Sequence, residues 1–261
     1  MKRVGLVGYG YIGKAIYQRI LENSENTEPA FVYTRDVNSL VDVDECHVIE
    51  RLEEAGSRDP DLIVEMAHPS ITLAHGPNFL SFADYMPLSV TALAMDNVLT
   101  RIKDTAEAYG HQLYLPVGAL VGGNSLWMSR ETWKEVKIMF LKNPANIEFS
   151  ESGMSAPEDD GQTTLYEGPV RGIAKMFPRN VNSMVTCALM SAGLDKTQAI
   201  LISDPSIDYG EATVEAWADN DGYLKTVKRQ PMAGVSGEEM IDSTWQSILK
   251  ALNHDETPSL V

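Results

Sequence analysis

The sequence predicts an α/β fold in which a doubly wound parallel sheet is followed by an α+β domain with a mostly antiparallel sheet. Short apolar runs alternate with segments of helical spacing up to about residue 115, which is typical of successive βαβ units. After Pro116 the runs become longer strands, interrupted by one strong helix, Val181–Ala192. An amphipathic helix, Glu238–Leu252, carries an apolar face that we expect to pack back on the first domain. The expected divisions of the chain are 1–115, 116–237 and 238–261.

The first domain is predicted from short apolar strands, which suit a parallel sheet covered on both faces. These strands are Val4–Val7, Ala30–Tyr33, Leu62–Met66, Tyr85–Val90 and Gln112–Leu115. Between them, helices are predicted at Tyr11–Leu21, from Pro69 onward and at Asn97–Tyr109. The first helix has Ile12, Ile16 and Ile20 on one stripe, and proline favours the first position of the second.

The second domain is predicted from strands that lack regular crossover helices, which favours antiparallel pairing. These strands are Val136–Phe140, Ile147–Phe149, Thr163–Tyr166, Ala199–Ile202 and Thr213–Trp217. The stretch Ser155–Gly161 contains Ser, Pro, Asp and Gly and is expected to be a surface loop.

The composition excludes several classes of function. The 261 residues carry a formal net charge of −16, and such a surface repels nucleic-acid phosphates and anionic membranes. No apolar run approaches the roughly 20 residues of a membrane span, and the first residues do not read as a signal peptide. Cys46 and Cys187 fit no zinc spacing and are expected to be reduced thiols. We therefore expect a cytoplasmic protein without nucleic-acid or membrane partners.

A glycine-rich turn of the spacing G-x-G-x-x-G follows the first strand and opens the first helix. The residues of interest are Gly8, Gly10, Tyr11, Ile12 and Gly13. Gly8 allows a tight turn, Gly10 lets the backbone approach a pyrophosphate, and Gly13 lets helix and strand pack closely. The anion would meet free N–H groups at the positive end of the helix dipole. Because strand, turn and helix all match the context that this motif requires, the sequence predicts a Rossmann domain that binds NAD or NADP.

The end of the second strand bears on the choice between NAD and NADP. An acidic residue there would accept hydrogen bonds from the ribose 2′-hydroxyl, whereas arginine favours a 2′-phosphate. Thr34 stands at the expected acidic position and Arg35 follows it, which favours NADP. The alternative is that Arg35 stacks on the adenine or is solvated, and that Asp36 contacts the ribose.

Several stretches together resemble the L-aspartate dehydrogenase family, including the aspartate-dehydrogenase-like proteins of animals. They are GLVGYGYIG, IVEMAHP, PVGALVGG, LYEGPVRG and FPRNVN, and the resemblance extends to the final helix. It implies a Rossmann domain joined to an α+β domain that carries the substrate site and a homodimer contact. It further implies interconversion of L-aspartate with oxaloacetate and ammonia through iminosuccinate, with NAD or NADP as cofactor.

The resemblance also assigns residues. Ala119 and Asn182 match positions that line the family's cofactor and substrate cleft, and Ala67 lies in the similar AHP stretch. Gly118 permits close approach of backbone to a ligand, and Arg179 could clamp a substrate carboxylate or pair with a nearby acid. Asn180 is expected either to cap the helix from Val181 or to bind substrate.

The match fails at the family's catalytic histidine, which follows the pattern D-P-x-x-x-x-N-x-H. Here Asp204-Pro205 is present, but Gly210 replaces the asparagine and Ala212 replaces the histidine. General acid–base help of this kind is typically worth about a hundred- to ten-thousandfold. Either another residue supplies the proton, or the chemistry differs, or activity has been lost.

Three residues are candidate substitutes: His68, Tyr209 and Glu211. His68 ends a parallel strand, where ligands bind in doubly wound folds, and it could instead order the turn before Pro69. Tyr209 and Glu211 lie in the expected region of sequence but could be solvated. The remaining histidines, which show no clustering, are His47, His75, His111 and His254. No metal site is expected.

The sequence therefore predicts an NAD(P)-dependent amino-acid dehydrogenase or imine reductase with a small carboxylated substrate. The alternatives are a dinucleotide-binding sensor without turnover and a related reductase, such as homoserine dehydrogenase or dihydrodipicolinate reductase. The related reductases are disfavoured because Lys134, Lys137 and Lys142 fall in the region of the predicted strand Val136–Phe140 without clustering.

Overall fold

The computed structural model describes residues 1–158, 161–219 and 221–253, which form two compact units. The first unit comprises Met1–Ser89, Leu99–Pro116 and the chain from Ile241; the second comprises Val90–Val98 and Val117–Met240. His254 and residues 159–160 of the expected surface loop lie outside the described residues. Within the described part, no helix combines the length and apolar character needed to span a bilayer.

The first unit contains a parallel sheet of four strands in the order β2-β1-β3-β4. The elements are β1 (Lys2–Val7), α1 (Tyr11–Glu22), β2 (Thr27–Tyr33), β3 (Leu62–Glu65), α2 (Pro69–Leu80), β4 (Asp84–Pro87) and α3 (Val98–Tyr109). All four residues of β3, including Glu65, are buried, as expected for a strand of a parallel sheet covered on both faces.

The C-terminal helix α7 (Met240–Ala251) contributes to the core of the first unit. Trp245 and Ile248 of α7 belong to the same buried cluster as Ile16 and Ile20 of α1. The two residues on each helix are three or four positions apart, so one apolar stripe on each helix supplies the contact.

The prediction of a fifth strand at Gln112–Leu115 is wrong. This segment meets β4 only through an isolated parallel bridge between Tyr85 and Leu113. Pro116 follows it directly and has no N–H for a sheet ladder, so regular pairing cannot extend in that direction.

The second unit contains a sheet of six strands in the order β10-β9-β8-β5-β7-β6. Its elements are α4 (Gly123–Met128), β5 (Trp133–Lys142), β6 (Thr163–Pro169), α5 (Val170–Met176), α6 (Asn182–Leu189), β7 (Gln198–Ser203), β8 (Tyr209–Ala218), β9 (Tyr223–Ala233) and β10 (Ser236–Gly237). Only the β5–β7 pairing in this sheet is parallel. A parallel first sheet and a mostly antiparallel second sheet confirm the predicted fold class.

Two predictions in the second unit need correction. Ile147–Phe149 is not a strand, because it follows a single turn of 3-10 helix, Pro144–Asn146, and its Glu148 backbone bonds to a side chain instead of to another strand. The helix predicted at Val181–Ala192 is shorter and begins at Asn182.

Strand β5 places its side chains alternately on the two faces of the sheet. Val136, Ile138, Phe140 and Lys142 are the buried set. A lysine thus occupies the position where the pattern would continue with an apolar residue. This irregularity marks the edge of the site described next.

Candidate active site

The glycine turn brings the start of α1 against the ends of β1 and β3. Gly8 has φ 109°, and a Cβ there would lie 2.7 Å from the Met66 carbonyl oxygen. A Cβ at Gly13 would lie 2.2 Å from the Gly8 carbonyl oxygen. Both distances are far below ordinary contact, so this crossing of helix and turn requires glycine at both positions.

The N-terminus of α1 is open. Gly10 precedes the helix without a side-chain cap, and a Cβ there would meet no heavy atom within 4 Å. Tyr11 is exposed, whereas Ile12 packs against the core. The first-turn N–H groups of the helix therefore lie at an uncapped end, where the helix dipole favours a negative charge.

The three residues that follow β2 differ in exposure and in whether their side chains have hydrogen-bond or ion-pair partners. The Asp36 carboxylate accepts a hydrogen bond from the Asn38 backbone N–H at 3.1 Å and so caps a short 3-10 turn. Thr34 is half-buried and Arg35 is exposed. Within residues 1–158, 161–219 and 221–253, the Arg35 guanidinium pairs with no carboxylate. The local structure thus occupies Asp36 and leaves Arg35 available to an anion.

The loop after β3 is organised by a buried carboxyl group. Glu65 Oε1 accepts hydrogen bonds from the Ala67 and His68 backbone N–H groups at 2.7 and 2.8 Å. Ser89, which follows β4, donates its hydroxyl to the same oxygen at 3.0 Å. Burial raises the pKa of Glu65 to about 7, although these hydrogen bonds favour the charged form.

His68 caps helix α2. Its Nδ1 accepts a hydrogen bond from the Ser70 backbone N–H at 3.2 Å and also lies 2.9 Å from the Ser70 hydroxyl. The sequence left open whether His68 orders the turn before Pro69, and the structure shows that it does. A neutral His68 in this arrangement carries its proton on Nε2.

The second unit contains a cavity with about 530 Å³ of empty space, including open solvent at its mouth. It brings together five residues singled out from the sequence: Ala119, Arg179, Asn180, Asn182 and Glu211. The further lining residues used below are Phe140, Lys142, Gly210, Ala212, Val235 and Met240. Gly118 and Tyr209 are not among the lining residues.

The Gly118-Ala119 turn is fixed to helix α6. Gly118 has φ 59°, and a Cβ there would lie 2.5 Å from the Ser183 hydroxyl oxygen. The Ala119 backbone N–H donates a hydrogen bond to that hydroxyl at 2.9 Å. The turn therefore holds Ala119 at the cavity wall through Ser183, which the sequence analysis did not single out.

Asn180 and Asn182 make different hydrogen bonds. Asn182 Oδ1 accepts hydrogen bonds from the Thr91 backbone N–H at 3.1 Å and hydroxyl at 3.2 Å, so its Nδ2 is the group left for a ligand. Asn180 exchanges two hydrogen bonds with the Glu148 backbone, at 2.8 and 2.9 Å. The expectation that Asn180 caps the helix is wrong, because Val181 is the N-cap residue and Asn180 instead ties two segments together.

Arg179 and Glu211 reach the cavity with partners of their own. Arg179 Nη1 lies 3.7 Å from Glu148 Oε2 and its side chain is about half exposed, so it remains free to turn toward a ligand. Glu211 pairs with the Arg229 guanidinium, which also lies over the Tyr209 ring at 4.9 Å. Since residues alternate along β8, Tyr209 and Glu211 point away from the face that carries Ala212.

Lys142 is a charged cavity residue to which the sequence analysis gave no role at the site. Its side chain is buried, and its Nζ donates to the carbonyl oxygens of Val235 at 3.0 Å and Asn180 at 3.4 Å. Burial lowers the pKa of Lys142 to about 8. The signal was present in the sequence, because Lys142 continues the alternation of apolar residues at positions 136, 138 and 140.

Comparison with known proteins gives two family models that together cover most of the chain. The family "Aspartate dehydrogenase, C-terminal" matches residues 125–252, and "Homoserine dehydrogenase, NAD binding domain" matches residues 8–116. An aspartate dehydrogenase domain-containing protein of Xenopus tropicalis is 34% identical over 270 residues, covering 97% of this chain and 95% of its own.

Two more distant relatives are also aspartate dehydrogenases. The L-aspartate dehydrogenase of Methanopyrus kandleri is 28% identical over 238 residues, covering 88% of this chain and 87% of its own. The crystal structure of aspartate dehydrogenase from Thermotoga maritima shares the fold with a TM-score of 0.76 at 23% identity, covering 100% of this chain and 99% of that one. The chain therefore belongs to the aspartate dehydrogenase family, as its sequence motifs predicted.

Proposed function

We propose that this chain is an NAD(P)-dependent dehydrogenase that interconverts a small amino acid with its 2-oxo acid and ammonia, through an imine. L-Aspartate is the first substrate to test, because family membership favours it. The observation that carries the proposal is the cavity of the second unit. Arg179, Lys142 and the Asn182 amide give it donors suited to a carboxylated substrate.

The first unit is proposed to bind the dinucleotide through the amides at Gly8, Gly10, Tyr11, Ile12 and Gly13. The NAD-binding family model over residues 8–116 supports a nicotinamide dinucleotide. NADP is the proposed preference, because Arg35 is exposed while Asp36 is engaged in its own turn. Thr34 would complete the contact with the 2′-phosphate. Ala67, on the neighbouring loop after β3, is also a proposed cofactor contact.

In the second unit, Arg179 is proposed to hold a substrate carboxylate through its planar set of donors. Gly118 and Asn180 shape the walls, since one fixes the Ala119 turn and the other ties Arg179 to the Glu148 segment. Asn182 and Ala119 are proposed to contact cofactor or substrate from α6 and the turn. When bound, the nicotinamide supplies or accepts the hydride; the residues of the chain provide orientation and charge.

Ala212 favours a second candidate function, a dinucleotide-binding sensor without turnover. The alanine is buried where the family has its catalytic histidine, and its methyl group cannot exchange a proton. Of the substitutes predicted from the sequence, His68 is engaged as a helix cap, while Glu211 and Tyr209 contact Arg229.

One assay separates the two functions. Purified protein is mixed with NADPH or NADH, ammonium and a panel of 2-oxo acids that includes oxaloacetate. Loss of the reduced-nicotinamide absorbance only when ammonium and a 2-oxo acid are both present supports the dehydrogenase. A flat trace with saturable dinucleotide binding supports the sensor, and absence of binding contradicts both.

A homodimer is also proposed, on the resemblance and on the partly exposed apolar side chains of β9. Tyr223 and Val227 are 53% and 50% exposed on this strand. Light scattering coupled to size-exclusion chromatography should give twice the monomer mass, and a monomer at micromolar concentration would contradict the proposal. Cytoplasmic location stays a prediction from the sequence.

A further inference from the structure

Lys142 is unusual among the lysines of this chain because it is buried in a cavity wall and has no carboxylate partner among the residues that the structure describes. Its side chain is only 7% exposed, and within the described residues its two hydrogen-bond acceptors are backbone carbonyls. An ammonium group has three N–H donors, so one remains for the cavity. Burying a charge in this way is unfavourable, and a buried lysine loses its proton readily, which suits it to general-base chemistry.

The charged residues around this lysine are already engaged elsewhere. Glu211 pairs with Arg229, and Arg179 lies 3.7 Å from Glu148. Asp204, at the end of the neighbouring strand β7, accepts hydrogen bonds from the turn that follows it. None of these carboxylates holds the lysine in its charged form, so desolvation lowers its pKa to about 8.

The register of the sheet places this lysine beside the position of the missing histidine. Phe140 of β5 pairs with Ala212 of β8, and Leu141 pairs with Glu211. Lys142 lies one residue farther on and shares the buried face with Phe140, so it is a diagonal neighbour of Ala212. Diagonal neighbours on one face are roughly 7–8 Å apart, within reach of a long side chain. Gly210, which lies opposite Lys142 in this register, has no side chain of its own, and the Met232 sulfur lies 2.4 Å from the position that its Cβ would take.

We propose that Lys142 is the proton-exchanging group of this cavity, in place of the histidine that Ala212 replaces. This inference rests on the proposed function. In the aminating direction, ammonia adds to the carbonyl carbon of the 2-oxo acid to give a carbinolamine. The Lys142 ammonium donates a proton to its hydroxyl group, the C–O bond breaks, water leaves, and the nitrogen lone pair forms the C=N bond. The products are a protonated imine and a neutral Lys142 amine.

The reverse direction uses the same group as a base. Water attacks the protonated imine carbon, and the Lys142 amine accepts the proton that water loses as the C–O bond forms. The aminating step therefore needs Lys142 charged, and its rate falls as the pH rises through about 8. Hydrolysis of the imine needs Lys142 neutral, and its rate rises over the same interval.

Three variants test the assignment. Lys142→Met keeps the length of the side chain and removes the titrating group; we expect kcat to fall about a hundred- to ten-thousandfold and NADPH affinity to stay unchanged. Lys142→Arg keeps the charge but cannot release a proton near neutral pH, so KM should change little while kcat falls. Lys137→Met, on the opposite face of the same strand, is the matched control and should retain wild-type kinetics.

A measurement without turnover accompanies the kinetics. In protein labelled with ¹³C-lysine, the Cε signal that Lys142→Met removes identifies Lys142, and its pH titration gives the pKa. We expect a pKa far below that of the other lysines and an increase when L-malate, a substrate-like dicarboxylate, is added. Thermal unfolding by circular dichroism confirms that each variant is folded.

The outcomes separate the two proposals. If wild-type protein turns over and Lys142→Met or Lys142→Arg stays within threefold of its kcat, the Lys142 assignment is overturned. If wild-type protein shows no turnover, the dehydrogenase proposal fails and the catalytic role of Lys142 fails with it. In a protein that turns over, the titration tests the Lys142 assignment separately. An ordinary lysine pKa, or a signal indifferent to malate, overturns it.

Discussion

Replacing Glu65 with glutamine should remove a pH dependence from the stability of the first unit. Glu65 is fully buried, and its pKa is raised from an ordinary value of 4.5 to about 7. Because the folded state holds this proton more tightly than the unfolded chain, the stability from Glu65 is complete below about pH 4.5. It is lost as the pH rises through about 7. At about 1.4 kcal/mol per pKa unit, the loss amounts to about 3 kcal/mol, most of it between pH 5 and 8.

Glutamine keeps the oxygen that serves Ala67 and His68 but presents an NH₂ group to the Ser89 backbone N–H. Relative to wild type, Glu65→Gln should therefore be less stable by about 1 kcal/mol at pH 5, where one hydrogen bond is lost. It should be more stable by about 1–2 kcal/mol at pH 8, where wild type holds a buried charge. Glu22→Gln makes the same chemical change at an exposed position of α1 and is the matched control.

Pulsed hydrogen exchange after equilibration in urea measures this difference in the first unit alone. Samples are equilibrated at each test pH and labelled at one fixed pH, and peptides from β1 and β3 report the unfolded fraction. A difference between Glu65→Gln and wild type that stays constant from pH 5 to 8 would refute the reasoning, as would an equal change in the control.

Three further predictions concern the cofactor and the cavity. Gly13→Ala should lower the melting temperature, because its Cβ would lie 2.2 Å from a carbonyl oxygen. Gly10→Ala should leave the melting temperature nearly unchanged and weaken NADPH binding. Equal effects of the two variants on melting temperature and on NADPH binding would contradict this prediction. Arg35→Ala should raise the Kd for NADPH about tenfold or more and the Kd for NADH less than threefold, measured by fluorescence titration; equal losses would contradict a 2′-phosphate contact. Adding Ala212→His to Lys142→Met should raise kcat at least about tenfold over that of Lys142→Met alone, since both side chains reach one face of the sheet. No increase in a folded double variant would contradict that geometry.

The first unit was largely predictable because its signals are local. The apolar run of β1, the glycine turn and the stripe of α1 each follow from steric and periodic rules within twenty or so residues. The false fifth strand shows the limit of such rules. Gln112–Leu115 has strand-like residues, but pairing depends on a partner and on an available N–H donor, and Pro116 removes that donor.

Strand β9 and helix α5 were not predicted, for different physical reasons. The exposed positions of β9 include Lys225 and Arg229, so its alternation gives a weak apolar signal, and Pro231 counts against a strand. Helix α5 has only seven residues and contains Gly172, so its intrinsic helix signal is weak and the surrounding contacts stabilise it.

The cavity was predictable in part. Ala119, Arg179, Asn180 and Asn182 were predicted from motifs, and the structure places all four at the cavity wall. Lys142 was not predicted as a site residue, because the lysines near it show no cluster in the sequence. Its role depends instead on which face of β5 it occupies. Tyr209 and Glu211 were chosen by position in the chain alone, and alternation along β8 turns both away from Ala212.

Isotope transfer tests the central claim most directly. Protein is incubated with NADPH carrying deuterium at both hydrogen positions of nicotinamide C4, together with oxaloacetate and ammonium, and the products are analysed by mass spectrometry. Aspartate that carries the label at Cα is the expected result, because the hydride should reach the imine carbon. Labelled malate in its place would show reduction of the carbonyl group instead of the imine, and no labelled product with any 2-oxo acid would contradict dehydrogenase activity altogether.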